Sequence, residues 1–270
     1  MTEGIVTKDG SMYGGWRQPI NVWADLPGSI HNDAVASKIG MRGGTIPGTV
    51  HFNLFSPLFL KLWGRRWWEQ GTISMYYTYA TKHKEDVRAI VKVPADNTGD
   101  VETEAWVETP NGQIVCRGTV SIGKPGEGYV RKLEVKNSTQ DELRILADVK
   151  PGTEIPECDM TVTEQSQDKG LETNTDPLDI YKTNSPWGFR VLPPTSLYRL
   201  LNAGFPKDSI KQPAVGFFGA TEIRVFKGPI KVGVTYRSKS KVIAVGVTEK
   251  TEYAWVDSWM HNEGTDELVA

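Results

Sequence analysis

Apolar residues crowd one stretch of the chain and alternate with polar ones over much of the rest. Residues 48–62, GTVHFNLFSPLFLKL, are apolar nearly all round, which marks a helix buried on every side rather than an amphipathic one. Pro57 falls inside it. A proline in a helix interior costs about 3 kcal/mol and kinks the axis, so the pattern predicts a bend there or two shorter segments. Downstream the period changes. Residues 71–79 are β-rich and 86–93 alternate, while 101–108 and 114–122 flank Asn111-Gly112, a hairpin turn. One buried helix followed by four strands is a compact α+β unit ending near residue 123. Upstream, 20–23 read as a short strand and 33–39 as a short helix, with Asp33 as its cap.

The second half repeats this order. Gly188-Phe189-Arg190-Val191-Leu192-Pro193-Pro194-Thr195 aligns with the segment from Gly40 to Thr49, with two fewer residues in the loop. A helix over 195–202 follows, then strands over 220–226, 230–238, 242–248 and 251–259. An internal duplication accounts for the recurrence. Two such units are expected to pair their sheets, because together they bury more apolar area than either does alone. The expected organisation is a first unit at 1–123, a polar linker at 124–148 that opens with GKPGEG, and a second unit at 149–270.

Charge and cysteine content narrow the function classes. The chain has 31 basic and 33 acidic residues, a formal net charge of -2, so no electrostatic reason points to nucleic acid or to a membrane surface. The longest apolar run is too short and too interrupted to span a bilayer, and the N-terminus lacks a secretion-signal pattern. Two distant cysteines, Cys116 and Cys158, predict neither a disulfide framework nor a zinc site and suit a reducing compartment. The expected location is the cytoplasm. No metal and no cofactor are predicted; Gly43-Gly44 lacks the lysine and hydroxyl of a phosphate loop.

Candidate chemistry gathers upstream of the buried helix. Pro47-Gly48 opens that helix and leaves backbone N–H groups without internal partners. His31 precedes it by a short loop. A histidine and free helix-entrance donors together suit chemistry on a carbonyl compound. Asp33 reads as a cap rather than an acid. Trp63, Trp67 and Trp68, around Arg65-Arg66, read either as a helix end packed on a sheet or as an aromatic pocket with an arginine that attracts phosphate or carboxylate.

The run Ser29-Ile30-His31-Asn32-Asp33-Ala34, then Gly40-Met41 and Pro47-Gly48, resembles the hydratase motif of the MaoC-like hot-dog family, which includes the (R)-specific enoyl-CoA hydratases. The resemblance implies an α+β double hot-dog, two antiparallel sheets each wrapped around a central helix. It also implies a hydro-lyase acting on an α,β-unsaturated or 3-hydroxyacyl thioester, carried by CoA or an acyl-carrier protein, or on a related conjugated carbonyl. His31 and Asp25 would then handle the water, and the Gly48 N–H would receive the thioester oxygen. Ser29, His51, Trp63 and Arg65 would line the substrate site. The family's aspartate lies five residues before its histidine. Here that position is Leu26 and the nearest acid is Asp25, six before; a one-residue bulge in the turn would let Asp25 reach the site, and without it the acid is missing. Counting back nine residues from Gly188 lands on Asp179, which makes the second unit a degenerate copy with its histidine gone. The expected partners are a small-molecule substrate and a second copy of the chain in a homodimer. Two alternatives stand beside this reading: a tailoring cyclase, isomerase or dehydratase on a bulky non-thioester natural product, and a non-catalytic hot-dog that binds a ligand or an active partner.

Overall fold

The computed structural model describes residues 4–124, 126–183, 185–202 and 207–270. At the centre of the first unit, the apolar stretch divides just before Pro57. A 3-10 segment, Gly48–Phe55, leads into helix α2, Ser56–Trp63. Pro57 stands in the first turn of α2, where a missing N–H costs nothing. Phe52, Phe55 and Phe59 are fully buried. Phe59 stacks on Phe55 at 5.7 Å and on Trp67 at 4.3 Å. The short helix α1, Asp33–Lys38, precedes this core, and α3, Arg66–Gln70, follows it.

Around it runs a seven-stranded antiparallel sheet. Its strands are β1 (Val6–Lys8), β2 (Ser11–Tyr13), β3 (Gly71–Tyr77), β4 (Arg88–Lys92), β5 (Val101–Glu108), β6 (Ile114–Ile122) and β8 (Ala220–Arg224), in the order β1-β2-β4-β5-β6-β3-β8. The strand after each unit's helix therefore joins the two units, with Thr72 opposite Arg224 and Tyr76 opposite Ala220. The second unit adds β7 (Glu154–Thr161), helix α4 (Glu164–Leu171), helix α5 (Pro194–Leu201), β9 (Thr235–Val247) and β10 (Glu252–Asn262), with a second sheet ordered β10-β9-β7. Residues 268–270 bridge β10 to the chain beyond β8: Val269 donates to Met260 at 2.8 Å and accepts from Phe226 at 2.9 Å.

Two local expectations give way. Residues 20–23 form turn rather than strand, and the edge of the sheet is made by β1 and β2 instead. The strands expected at 230–238 and 242–248 are one long strand, β9. Its inward face continues through Ser238 and Ser240, which read as a polar break in the pattern. Ser238 gives its hydroxyl to the Leu200 carbonyl, and Ser240 pairs with Ser258 at 2.7 Å, so both hydroxyls are satisfied inside the fold. The pattern does not predict strand β7, in which Pro156 interrupts the run and the pairing with β9 shifts register between Ile155 and Cys158. The 124–148 stretch holds two single 3-10 turns and docks on the second sheet. The Glu252 carboxylate accepts from the N–H groups of Arg144, Ile145 and Leu146, and Leu143 and Leu146 pack with Val242 and Val245.

The duplication is written in the backbone hydrogen bonds. Ile46 donates to Thr81 as Leu192 donates to Ile230, and Thr45 donates to Ile30 as Val191 donates to Ile180. Asn32 donates to Ser29 as Lys182 donates to Asp179, and Gly40 to Ser37 as Gly188 to Ser185. Where the helix entrances cross, Thr195 gives its hydroxyl to the Thr49 carbonyl at 2.8 Å and its N–H to Asn53 Oδ1 at 3.3 Å.

Candidate active site

The His31 turn is held from both ends. Gly28 takes a left-handed φ of 71°, conformation that costs a side-chain-bearing residue more. Ser29 Oγ accepts from the His31 N–H at 3.3 Å, and Asn21 donates to the His31 carbonyl at 2.8 Å. Asn32, not Asp33, caps α1, accepting from the N–H groups of Ala34 and Val35. The Asp33 carboxylate instead accepts from the Gly44 N–H at 2.7 Å and fastens the glycine loop to the turn. Gly44 has to be glycine there, since a Cβ would lie 2.3 Å from the His31 carbonyl oxygen.

That loop presents the Thr45 carbonyl to the His31 ring, with Nδ1 and the oxygen 2.7 Å apart. A carbonyl only accepts, so Nδ1 carries the proton and Nε2 of the neutral ring keeps its lone pair. Burial lowers the His31 pKa below the ordinary histidine value, and the Thr45 carbonyl pulls partly the other way. The indole of Trp23 lies 5.9 Å from the ring.

Three residues after Thr45, Gly48 opens the 3-10 segment. Pro47 before it is extended and supplies no side-chain cap. The Tyr77 ring packs against the Gly48 Cα so closely that a Cβ would stand 2.7 Å from it. His31, on the turn before α1, is thus tied through Thr45 to the loop that leads into Gly48, and that loop is pinned by the Ile46 bond to Thr81 at 2.8 Å.

The second unit lacks both elements. Matching hydrogen bonds pair Ile30 with Ile180 and Ser29 with Asp179, which places Tyr181, not Asp179, at the His31 position. The count from Gly188 went astray because the second unit is two residues shorter between this turn and its glycine. Tyr181 is fully buried, donating to Ser56 Oγ at 2.9 Å and accepting from Trp68 Nε1 at 3.1 Å. Pro194 stands at the Gly48 position and has no N–H to offer. Asp176 lies five residues before Tyr181, the spacing at which the resembled motif carries its acid, and it is ion-paired to Arg17 at 2.7 Å.

The remaining candidates are scattered. Asp25 is exposed on the turn and, among the described residues, makes no hydrogen bond or ion pair. His51 is buried in the 3-10 segment, with Nε2 on the Thr81 hydroxyl at 2.9 Å and Nδ1 unpartnered; burial takes its pKa down to about 4, against a smaller upward pull from Glu85. Trp63 is buried against Phe59 at 5.7 Å, at the end of the helical stretch opposite Gly48. Arg65 is exposed over the Trp187 ring. Their places fit the packed helix end rather than an aromatic pocket. Thr45 and Tyr77 went unnoticed in the sequence: one acts through its backbone carbonyl, and the other ends an apolar strand like its neighbours. Two surface hollows, one along α4 around Ser166 and Lys169 and one on the sheet around Glu102 and Thr119, do not include His31 or Gly48. Among the described residues, no group of three or more His, Cys, Asp or Glu is placed to hold a metal, and no helix is long and apolar enough to cross a membrane.

No family model matches the chain, and no curated protein matches it in sequence. Solved structures do. A MaoC domain dehydratase from Chloroflexus aurantiacus is similar over 93% of this chain and 85% of its own, at 11% identity and a TM-score of 0.63. A conserved Mycobacterium tuberculosis protein described as a double hotdog is similar over 94% and 91%, at 11% identity and a TM-score of 0.61. A MaoC-like dehydratase covers 98% of this chain and 94% of its own, at 13% identity and a TM-score of 0.55. At such identities the likeness establishes architecture: the chain is a double hot-dog.

Proposed function

We propose that this double hot-dog is a hydro-lyase that adds water to, or removes it from, a conjugated or 3-hydroxyacyl thioester. The observation that carries the reading is the His31 Nδ1 bond to Thr45, which leaves Nε2 of a neutral imidazole as its basic nitrogen and ties the ring to the loop that leads to the helix-entrance N–H of Gly48. In the hydration direction, Nε2 takes a proton from water as the oxygen attacks the β-carbon. Negative charge collects on the thioester oxygen, where the Gly48 N–H donates. The imidazolium then returns a proton to the α-carbon. One imidazole handles both transfers, so the step closes without a carboxylate and delivers both groups to one face. General base catalysis of this kind contributes about 10²–10⁴-fold, and a preorganised oxyanion donor about 10²–10³-fold. The site belongs to the unit at 1–123, with 149–270 as its supporting wall. The carrier is CoA or an acyl-carrier protein, and the assembly a homodimer in the cytoplasm.

Purified protein is mixed with crotonyl-CoA and with longer and aromatic enoyl-CoAs, and the conjugated absorbance is followed. Loss of that band in the wild type, and its persistence with His31→Ala, is the expected result. Inertness toward every thioester overturns the assignment. A second reading, an isomerase or dehydratase on a non-thioester carbonyl compound, would use the same single base, and the exposed Asp25 is compatible with it. A bulky conjugated ligand that co-purifies with a thioester-inert protein is its signature.

A further inference from the structure

The turn that brings Trp23 to His31 adds nothing to the core. None of residues 20–29 is buried, and Val22 and Leu26 each stand half exposed. It is nonetheless tied to the rest of the protein at three points. The Asn21 N–H donates to His83 Nδ1 at 3.0 Å, and the Asn21 amide donates to the His31 carbonyl at 2.8 Å. Asn32, next to His31, donates to the Ala24 carbonyl at 2.8 Å. Within the turn, Asn21 Oδ1 accepts from the Trp23 N–H at 3.1 Å, and Leu26 donates to the Trp23 carbonyl at 3.0 Å. Three large apolar side chains are thus held in fixed places beside a base. Exposed apolar residues gathered next to a reactive polar group mark a surface for an apolar ligand.

What covers that surface follows from where the base works. The indole lies 5.9 Å from the imidazole, the two rings tilted at 46°, so Trp23 flanks His31 directly. The inward side of the site is filled. A Cβ on Gly48 would stand 2.7 Å from the Tyr77 ring, and Phe52, fully buried, lies against that ring at 6.3 Å. A substrate whose carbonyl meets the Gly48 N–H and whose β-carbon faces His31 therefore sends the group beyond that carbon outward, across the turn. We infer that Trp23, with Val22 and Leu26 beside it, binds this group and sets specificity, and that the substrate's acyl chain ends in a bulky apolar group of the aryl class. The indole gives an aryl group a broad apolar partner, and aromatic pairs gain energy beyond the area they bury. A crotonyl chain ends in one methyl and covers little of the surface. The inference rests on the hydro-lyase reading and names the class of acyl group it acts on.

The test compares two acyl groups on one carrier. Dehydration of 3-hydroxy-3-phenylpropanoyl-CoA is followed by growth of the cinnamoyl band, and hydration of crotonyl-CoA by loss of its own band. The wild type is expected to favour the aryl substrate. Trp23→Ala should cut the ratio of the two kcat/KM values by about 10–100-fold, within the range for apolar contacts to a substrate. Trp23→Phe should restore most of that ratio, and Val22→Ser and Leu26→Ser should each lower it less, through KM rather than kcat; these two carry the comparison if Trp23→Ala does not fold. An unchanged ratio, or equal losses on both substrates, overturns the specificity role and leaves the activity standing. Calorimetry supplies a readout without turnover. His31→Ala is expected to bind cinnamoyl-CoA more tightly than CoA alone, and to lose that margin when Trp23→Ala is added. A wild type inert toward both substrates overturns the hydro-lyase reading; a Trp23-dependent margin in binding then keeps the acyl surface, and its absence removes both.

Discussion

His31 gives its Nδ1 proton to the carbonyl of Thr45 at 2.7 Å, and this single bond selects the ring nitrogen available for chemistry. A backbone acceptor cannot be mutated away or titrated, so the tautomer is set by the fold. Backbone position, rather than a carboxylate, orients the imidazole here.

The pH profile should show it. Burial lowers the His31 pKa from 6.5, and only the neutral ring accepts a proton from water. We expect kcat/KM to fall on the acid side with an apparent pKa below 6.5 and to be level at pH 7. A profile governed by a group titrating above 7 contradicts this.

Asp25 provides the complementary test. It is exposed and joined to nothing in the described structure. Asp25→Asn should leave kcat/KM within about twofold of wild type, whereas His31→Ala removes about 10²–10⁴-fold. An Asp25→Asn loss as deep as that of His31→Ala shows that the turn moves inward when substrate binds.

Gly48→Ala brings a methyl to within 2.7 Å of the Tyr77 ring. The ring is backed by Phe52, at 6.3 Å, so it cannot simply withdraw. Overpacking of this kind typically costs about 1–3 kcal/mol, and it displaces the N–H as well as the phenol. Denaturant melts should show the lost stability, and kcat should drop more than KM changes.

His51 makes the protein sensitive to acid. Its folded pKa is about 4 against 6.5 for the free side chain, so the unfolded chain binds the proton more tightly. Above pH 6.5 this costs nothing. As pH falls from 6.5 to 4 the folded state loses up to about 3 kcal/mol through this one group. Replacing His51 by Gln should flatten the stability curve over that window, as read from urea melts at a series of pH values.

Tyr181, at the place of His31 in the second unit, has become a structural residue. Tyr181→Phe strands the Trp68 N–H and the Ser56 hydroxyl, both buried, at a cost of about 1–3 kcal/mol. Tyr181→His restores no second site, because Pro194 offers no N–H at that helix entrance. Thermal melts and turnover measured on both variants test the two statements.

Much of this architecture is legible along the chain because its causes are local. An all-apolar run buries itself, Pro57 opens a helix it cannot sit within, and Asn111-Gly112 turns between two alternating strands. The likeness of the two glycine-containing loops is likewise a matter of neighbouring residues. Tertiary contacts settled the rest. Ser238 and Ser240 belong to one long strand because Leu200 and Ser258 satisfy their hydroxyls from outside it. Tyr181 rather than Asp179 answers to His31, since backbone hydrogen bonds set that register and a residue count cannot see a two-residue deletion. The meeting of Tyr77 with Gly48 depends on a strand laid across a helix entrance, a proximity that no spacing along the sequence encodes.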